Sequence, residues 1–92
     1  MRVRRLVRVE RETDEVSSLY FRDELCSHAS PGQYVMVWVP GVDEVPMSLS
    51  TIGRDGVSSI TVSSVGEATE ALCGLREGDG IGVRGPFGRG FD

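Results

Sequence analysis

Turn residues recur so often along this 92-residue chain that only short segments fit between them, and most of those segments are built to lie in a sheet. Residues 2–12 alternate Arg with Val and Leu until Glu12-Thr13-Asp14-Glu15 ends the pattern. In that alternation Arg2, Arg4 and Arg8 share one face, expected to be a solvated outer one, and Val3, Val7 and Val9 the other. Val16 to Phe21 read as a second strand, with Leu19 and Phe21 on one side, followed by a polar loop holding Ser27, Ser30, Pro31 and Gly32. Gln33 to Val39 is rich in β-branched and aromatic side chains and reads as a central strand covered on both faces. Pro40-Gly41 and Asp43 mark a turn, and Met47 to Ile52 form a fourth strand entered at Pro46, where a missing N–H is tolerated. Arg54-Asp55-Gly56 is an Asp-Gly hairpin signal before the alternating run Val57 to Val65, with Ile60 and Val62 inward. Ala68, Leu72 and Leu75 recur at helical spacing and predict one helix over 67–75, with Glu67 in its first turn. Gly78-Asp79-Gly80 closes it, and Ile81 to Arg84 make the last strand. The expected fold is mainly all-β: a closed, six-stranded antiparallel barrel of Greek-key type with one short helix.

Composition narrows the function. A chain of this length makes one domain. A net charge of −4 argues against nucleic acid, whose binding is dominated by phosphate neutralisation. The longest apolar run, Tyr34 to Pro40, is far short of the roughly 20 residues of a membrane span, and the Arg-rich start holds no apolar block of the signal-peptide kind. A cytoplasmic protein without membrane contact is expected. Cys26 and Cys73 stand far apart with no CxxC, so the four closely spaced ligands of a zinc or iron–sulfur site cannot be assembled, and both read as small buried, reduced thiols. His28 lies in a Ser/Ala/Pro loop and reads as solvated. No Ser/His/Asp, Cys/His or paired-carboxylate arrangement offers an active site, so any chemistry belongs to a cofactor.

Two segments suggest which cofactor. Gly66 ends a β-branched strand and opens the helix, where unpaired backbone N–H groups and the helix dipole suit a phosphate. Pro46-Met47-Ser48, on a neighbouring strand, can set a hydroxyl and main-chain amides against a flat heteroaromatic ring. A diphosphate at one end and a ring at the other is what a flavin dinucleotide requires. Each segment alone also has an ordinary structural reading, Gly66-x-x-Thr69 as a helix start, Pro46-Met47-Ser48 as a strand entry, and Gly85-Pro86-x-Gly88 as a terminal turn.

Together with Pro31-Gly32-Gln33-Tyr34-Val35, and with Leu75-x-x-Gly78-Asp79 leading into Gly85-Pro86-Phe87-Gly88, these segments span nearly the whole chain. In order and spacing the chain resembles the flavin-binding barrel of the ferredoxin-reductase superfamily, and within it the archaeal form of the dihydroorotate dehydrogenase electron-transfer subunits. The resemblance implies an FAD-binding domain. The superfamily's Arg-x-Tyr-Ser-like motif falls here on Val45, Pro46, Met47 and Ser48. It implies that Ser48 approaches the ring edge near the redox-active nitrogen and that Met47 covers the ring in place of Tyr. It further implies that Thr61, Val62 and Ser63 line the flavin's middle, that Gly66 to Thr69, including Ala68, cap the pyrophosphate, and that Gly85 to Gly88 form the exit toward a nicotinamide-binding domain.

Two positions depart from the pattern. The motif's phosphate-pairing Arg is Val45, and the second glycine of a Gly-x-Gly-Thr is Ala68, which is compatible if helical. Losing the Arg removes a charge-assisted bond of roughly 1.5–3 kcal/mol, against about 0.3–2 kcal/mol from a helix terminus. Flavin binding is expected to be weaker unless Arg54 or a partner chain compensates. Family members continue into a Rossmann-type nicotinamide domain and a cysteine cluster holding a [2Fe–2S] centre. Residues 1–92 contain neither Gly-x-Gly-x-x-Gly nor enough cysteines, so they are read as the FAD-binding barrel of a longer protein. In that protein electrons would pass between NAD(P)H, FAD, the iron–sulfur centre and the flavin of a catalytic dihydroorotate dehydrogenase subunit, in pyrimidine biosynthesis. The barrel alone is expected to hold flavin without turnover. Two other readings stay open: the electron-transfer subunit of another reductase of the superfamily, such as a hydrogenase or sulfur reductase, and a non-catalytic barrel acting as an interaction module, as in translation factors.

Overall fold

The alternating segments close on themselves. The structure is a computed structural model that describes residues 1–39, 41–53 and 55–89. Among them the strands are β1 (Arg2–Arg11), β2 (Val16–Arg22), β3 (Tyr34–Trp38), β4 (Glu44–Ile52), β5 (Val57–Ser63) and β6 (Gly80–Phe87). Two short helices interrupt them, α1 (Glu24–Ser27) after β2 and α2 (Glu67–Cys73) after β5. The strands form a closed barrel in the order β1-β2-β5-β4-β3-β6, with β6 also bonded to β1. All pairings are antiparallel, and the β2–β5 and β3–β6 neighbours are the crossovers of a Greek key.

Because successive strand side chains point to opposite faces, one set from each strand fills the barrel. Leu19, Phe21, Val35, Val37, Ile60, Val62, Ile81 and Val83 are wholly buried, and Leu72 of α2 and Cys26 of α1 join the same core. Each such large side chain contributes about 1.5–3 kcal/mol through burial. The expected inward positions Leu19, Phe21, Ile60 and Val62 are all among them.

Several local expectations change. β3 is not covered on both faces: Val35 and Val37 are buried, while Tyr34 is exposed and Met36 and Trp38 are half-buried on the outside. A single barrel wall has only one inner face, so the apolar run instead gives the outer surface an apolar stripe. Trp38 lies across β6 at Gly82, where an added β-carbon would stand 3.1 Å from its ring. β4 begins at Glu44, so Pro46 sits inside the strand and not at its entry. It is tolerated because β4 pairs with β5 only from Leu49 onward, leaving β3 as the neighbour at Pro46. β5 ends at Ser63 and α2 at Cys73, where Gly74 caps the helix; Leu75 lies beyond it but still packs on the core. β6 runs through Gly85-Pro86-Phe87, expected as a loop, because Phe87 pairs with Tyr34 across a bulge. The single turn of α1 replaces part of the expected polar loop, and His28 after it is exposed. The expected turn residue Pro40 and the chain end, Phe91-Asp92, lie outside the described residues.

The largest difference lies in β1. Val3 is 65% exposed and Val7 is exposed too, while Arg2 and Arg4 turn inward. They meet Asp23, whose side chain is wholly inaccessible. Arg2 donates from Nε to Asp23 Oδ1 at 2.8 Å and from Nη2 to Oδ2 at 2.9 Å, and Nη2 also reaches the Gly85 carbonyl at 2.8 Å. Arg4 Nε donates to Oδ1 at 2.9 Å, and the Cys26 amide donates to Oδ2 at 3.0 Å, so Asp23 is also the N-cap of α1. A cation pair thus occupies the inner side where Val was expected, and a bulge between Leu6 and Arg8 then shifts the register so that Val9 packs on the core. Beyond it Arg8 lies over the Tyr20 ring and pairs with Glu10.

Burial alone would raise the Asp23 carboxyl, but hydrogen bonds from Arg2, the Cys26 amide and Arg4 outweigh it and hold the group well below the usual carboxylate range. The buried Cys26 thiol is pushed up to about 12 by burial and by that carboxylate, so it stays a protonated, inert thiol. Cys26 and the half-buried Cys73 are both free.

Asp23→Ala, which leaves two guanidiniums and one helix cap without their acceptor, is expected to cost about 2–3 kcal/mol, read as a lower urea midpoint. Since the folded carboxyl lies below its unfolded value, its contribution is complete above about pH 4 and is lost as pH falls further. Urea midpoints of the Asp23→Asn variant should therefore vary less than wild type between pH 5 and pH 2.

Candidate functional site

β4 runs past two grooves. Tyr34 pairs with Ser48 and Met36 with Pro46, so these four residues share the outer face of β3 and β4. With Gly32 and Met47 they line a groove of about 580 Å³. Its walls are a tyrosine ring, thioethers and a proline, with the exposed Ser48 as the short hydroxyl. That lining fits a flat heteroaromatic ring needing one polar contact at its edge. Met47 borders the groove but is paired with the buried Val35 and packs against the core. Tyr34 and Met36, which the sequence reading did not select, supply the outward side chains. The strict alternation of Tyr34, Met36 and Trp38 with Val35, Val37 and Val39 was the signal that could have found them.

The second groove, of about 430 Å³, lies between the β3–β4 turn and the start of α2. Val45, Gly66, Ala68 and Thr69 line it, together with Asp43 and Glu67 among others. Gly66 is the N-cap of α2 in extended conformation, φ −165° and ψ −178°, and an added β-carbon would meet nothing within 4 Å. Thr69 Oγ1 accepts the Val65 and Gly66 amides, each at 3.0 Å, and donates to the Gly66 carbonyl at 3.1 Å. Those two amides are therefore spent on holding the loop. The amides of Glu67, Ala68 and Thr69, in the first turn, have no intrahelical partner and are the donors left for an anion.

The charges of this groove run against an anion. Asp43 and Glu67 bring carboxylates, Glu70 adds another to the first turn of α2, and no Arg lines the groove among the described residues. Val45, in the place of the motif's Arg, pairs with Val37 and packs on the core. Arg54, the expected compensating cation, lies outside the described residues. The amides fit a diphosphate; the missing cation makes that end the weaker one.

Val45 lines one groove and Pro46, next in sequence, the other, and Val45 to Ser48 spans roughly 10 Å of strand. Thr61, Val62 and Ser63 line neither. Thr61 stands on the outside of β5, its Oγ1 accepting from Ser50 Oγ at 2.8 Å, and Ser63 is exposed nearby. Val62 is wholly buried, its carbonyl accepting from Cys73 Sγ at 3.5 Å, so only main-chain atoms of this residue can meet a ligand. A third groove, of about 440 Å³, includes Arg8, Tyr20 and Thr51 in its lining. Among the described residues no group of three or more His, Cys, Asp or Glu is placed to hold a metal, and no helix is long and apolar enough to cross a membrane.

No family model matches the chain. Curated relatives do. The chain is 49% identical over 87 residues to a protein of Archaeoglobus fulgidus named as a probable dihydroorotate dehydrogenase B (NAD(+)) electron transfer subunit, a match covering 95% of the chain and 34% of the relative. It is 58% identical over 65 residues to the like-named protein of Methanocella arvoryzae, covering 71% of the chain and 23% of that relative. The chain thus spans about a third or less of the curated relatives it matches. Among solved structures, a chain of the NADH-dependent reduced ferredoxin-NADP oxidoreductase superposes over 100% of this chain and 35% of its own, with TM-score 0.88 at 23% identity. The cytochrome b5 reductase domain of Ulva prolifera nitrate reductase covers 95% of this chain and 40% of its own, with TM-score 0.78 at 18% identity. These two likenesses establish the fold.

Thr69 is the brace of the α2 entry. Thr69→Val should lower stability by about 1–2 kcal/mol in urea unfolding and speed hydrogen exchange of the Val65 and Gly66 amides, whereas Thr69→Ser should preserve both.

Proposed function

We propose that this chain, a homologue of part of the dihydroorotate dehydrogenase B electron transfer subunits, is the FAD-binding barrel of such a subunit. One observation carries the reading: within three residues β4 passes from a groove at a helix start to an apolar groove with a hydroxyl at its edge. A dinucleotide with a diphosphate and a flat ring matches that sequence of surfaces.

In this reading Pro46, Met47 and Ser48 hold the ring, with the Ser48 hydroxyl directed to its edge. Val45, Gly66, Ala68 and Thr69 surround the diphosphate, met by the free amides of the α2 start. Thr61, Ser63 and the main chain of Val62 lie toward the middle of the molecule. Bound FAD supplies the exchange of electrons between a two-electron nicotinamide donor and one-electron carriers. The barrel's own part is to bind the ring, fix its orientation and set the polarity at its edge.

The remaining parts of the proposal concern a longer protein: a nicotinamide-binding domain for NAD(P)H, a [2Fe–2S] centre, and a catalytic dihydroorotate dehydrogenase subunit as partner, serving pyrimidine biosynthesis. The names and greater length of the curated relatives support the nicotinamide and dihydroorotate dehydrogenase parts; the [2Fe–2S] centre rests on the family resemblance alone. A cytoplasmic setting goes with the two free thiols.

Purified protein incubated with FAD should retain one yellow chromophore per chain, and ADP should compete for it. Gly66→Val projects a branched side chain into the diphosphate groove while costing the fold about 1 kcal/mol, and it should weaken FAD at least about tenfold. Ser48→Ala should keep FAD but shift its visible spectrum. Equal FAD affinity in wild type and Gly66→Val would contradict the diphosphate site.

A further inference from the structure

Tyr34 has contacts that its place in the barrel wall does not require. It stands on the outer face of β3 and remains 37% exposed, so the core gains little from it. Yet its ring is held from behind. The Phe87 ring lies 5.7 Å away, tilted by 44°, because β6 reaches past Arg84 to pair Phe87 with Tyr34 across a bulge. Gly88 follows with φ +85°, and a β-carbon there would stand 3.3 Å from Tyr34 Cδ1 and Cε1, so its backbone lies against the ring. Gln33 Nε2 donates to the Gly88 carbonyl at 2.9 Å and fastens that contact. The Arg84 guanidinium, bound to Glu44, lies 5.7 Å from the Phe87 ring centroid. The remaining surface of Tyr34 lines the groove beside Ser48, its cross-strand partner.

We propose that Tyr34 is the aromatic wall against which the flavin ring packs, and that Phe87 and Gly88, at the end of β6, are positioning residues that fix its angle. The inference rests on the flavin reading above and adds to it a contact residue and its support. A pinned ring that keeps an open side next to a hydroxyl is pre-organised for a flat heteroaromatic ligand, since its side-chain freedom is already lost before binding. The end of β6 thereby becomes a means of setting flavin geometry from outside the groove.

A phenol in contact with a flavin quenches its fluorescence: an electron passes from the phenol to the photo-excited ring and returns, with no net chemical change. A benzene ring of the same shape does not do this. The experiment compares FAD-loaded protein with its Tyr34→Phe variant, both in a Trp38→Phe background that removes the indole on the same strand face. With FAD at saturation, fluorescence per bound flavin should rise severalfold in Tyr34→Phe. Tyr34→Leu should weaken FAD by about 2- to 12-fold. Phe87→Ala, which leaves Tyr34 in place but unsupported, should also raise fluorescence at full occupancy. Full FAD occupancy with unchanged fluorescence in Tyr34→Phe overturns the inference while leaving the flavin reading standing. A wild-type protein that binds no FAD overturns both.

Discussion

Two-sided pairing is the constraint on which the rest of this structure depends. Each of the six strands is bonded to two neighbours, and β6 closes the ring by pairing with both β1 and β3. With no free edge, a slip of one strand would turn its core side chains outward and force the same slip on the next. Hence Val45, Met47 and Leu49 are committed to the core, and Pro46 and Ser48 are committed to the outer face with Tyr34 and Met36. The ring groove follows from this parity. The Asp23 cluster works on the same closure from one end, tying β1 to α1 and, through Arg2, to the Gly85 carbonyl of β6.

The barrel was legible because its signals are local. Alternation in Val57 to Val65 and in Val16 to Phe21 pointed to side chains that are buried, and the turn residues fell between the strands. What could not be read came from long-range partners. Nothing near Arg2 or Arg4 shows that a buried carboxylate waits at Asp23, so alternation alone assigns the Val face of β1 inward. Nothing near Phe87 shows that Tyr34 will extend β6 by pairing with it. At the candidate site, Ser48, Pro46 and Met47, and separately Gly66, Ala68 and Thr69, were read from short motifs, and each group lines one groove. Tyr34, Met36 and Asp43 were missed because they reach those grooves from a neighbouring strand or turn. Thr61, Val62 and Ser63 were placed by resemblance and stand outside both grooves.

The two ends of the proposed site differ in strength. The ring end is apolar, with one hydroxyl, on a rigid pair of strands. The diphosphate end offers first-turn amides but adds Asp43, Glu67 and Glu70, with Val45 where a cation would stand. A helix terminus supplies about 0.3–1 kcal/mol to an exposed anion, and the acidic residues of α2 already occupy that favourable position. In the proposed reading this balance makes ring contacts the main source of affinity, with no arginine lining the diphosphate groove among the described residues. The aromatic support of Tyr34 matters more on such a surface than it would beside an arginine clamp.

The most direct test is an amide chemical-shift titration of isotope-labelled protein with FAD. The account predicts that amides of residues 34–36 and of Met47 and Ser48 move together with those of residues 65–69, along one saturation curve, because a single molecule spans both grooves. Shifts confined to one of these groups, or centred on Arg8, Tyr20 and Thr51, would contradict it.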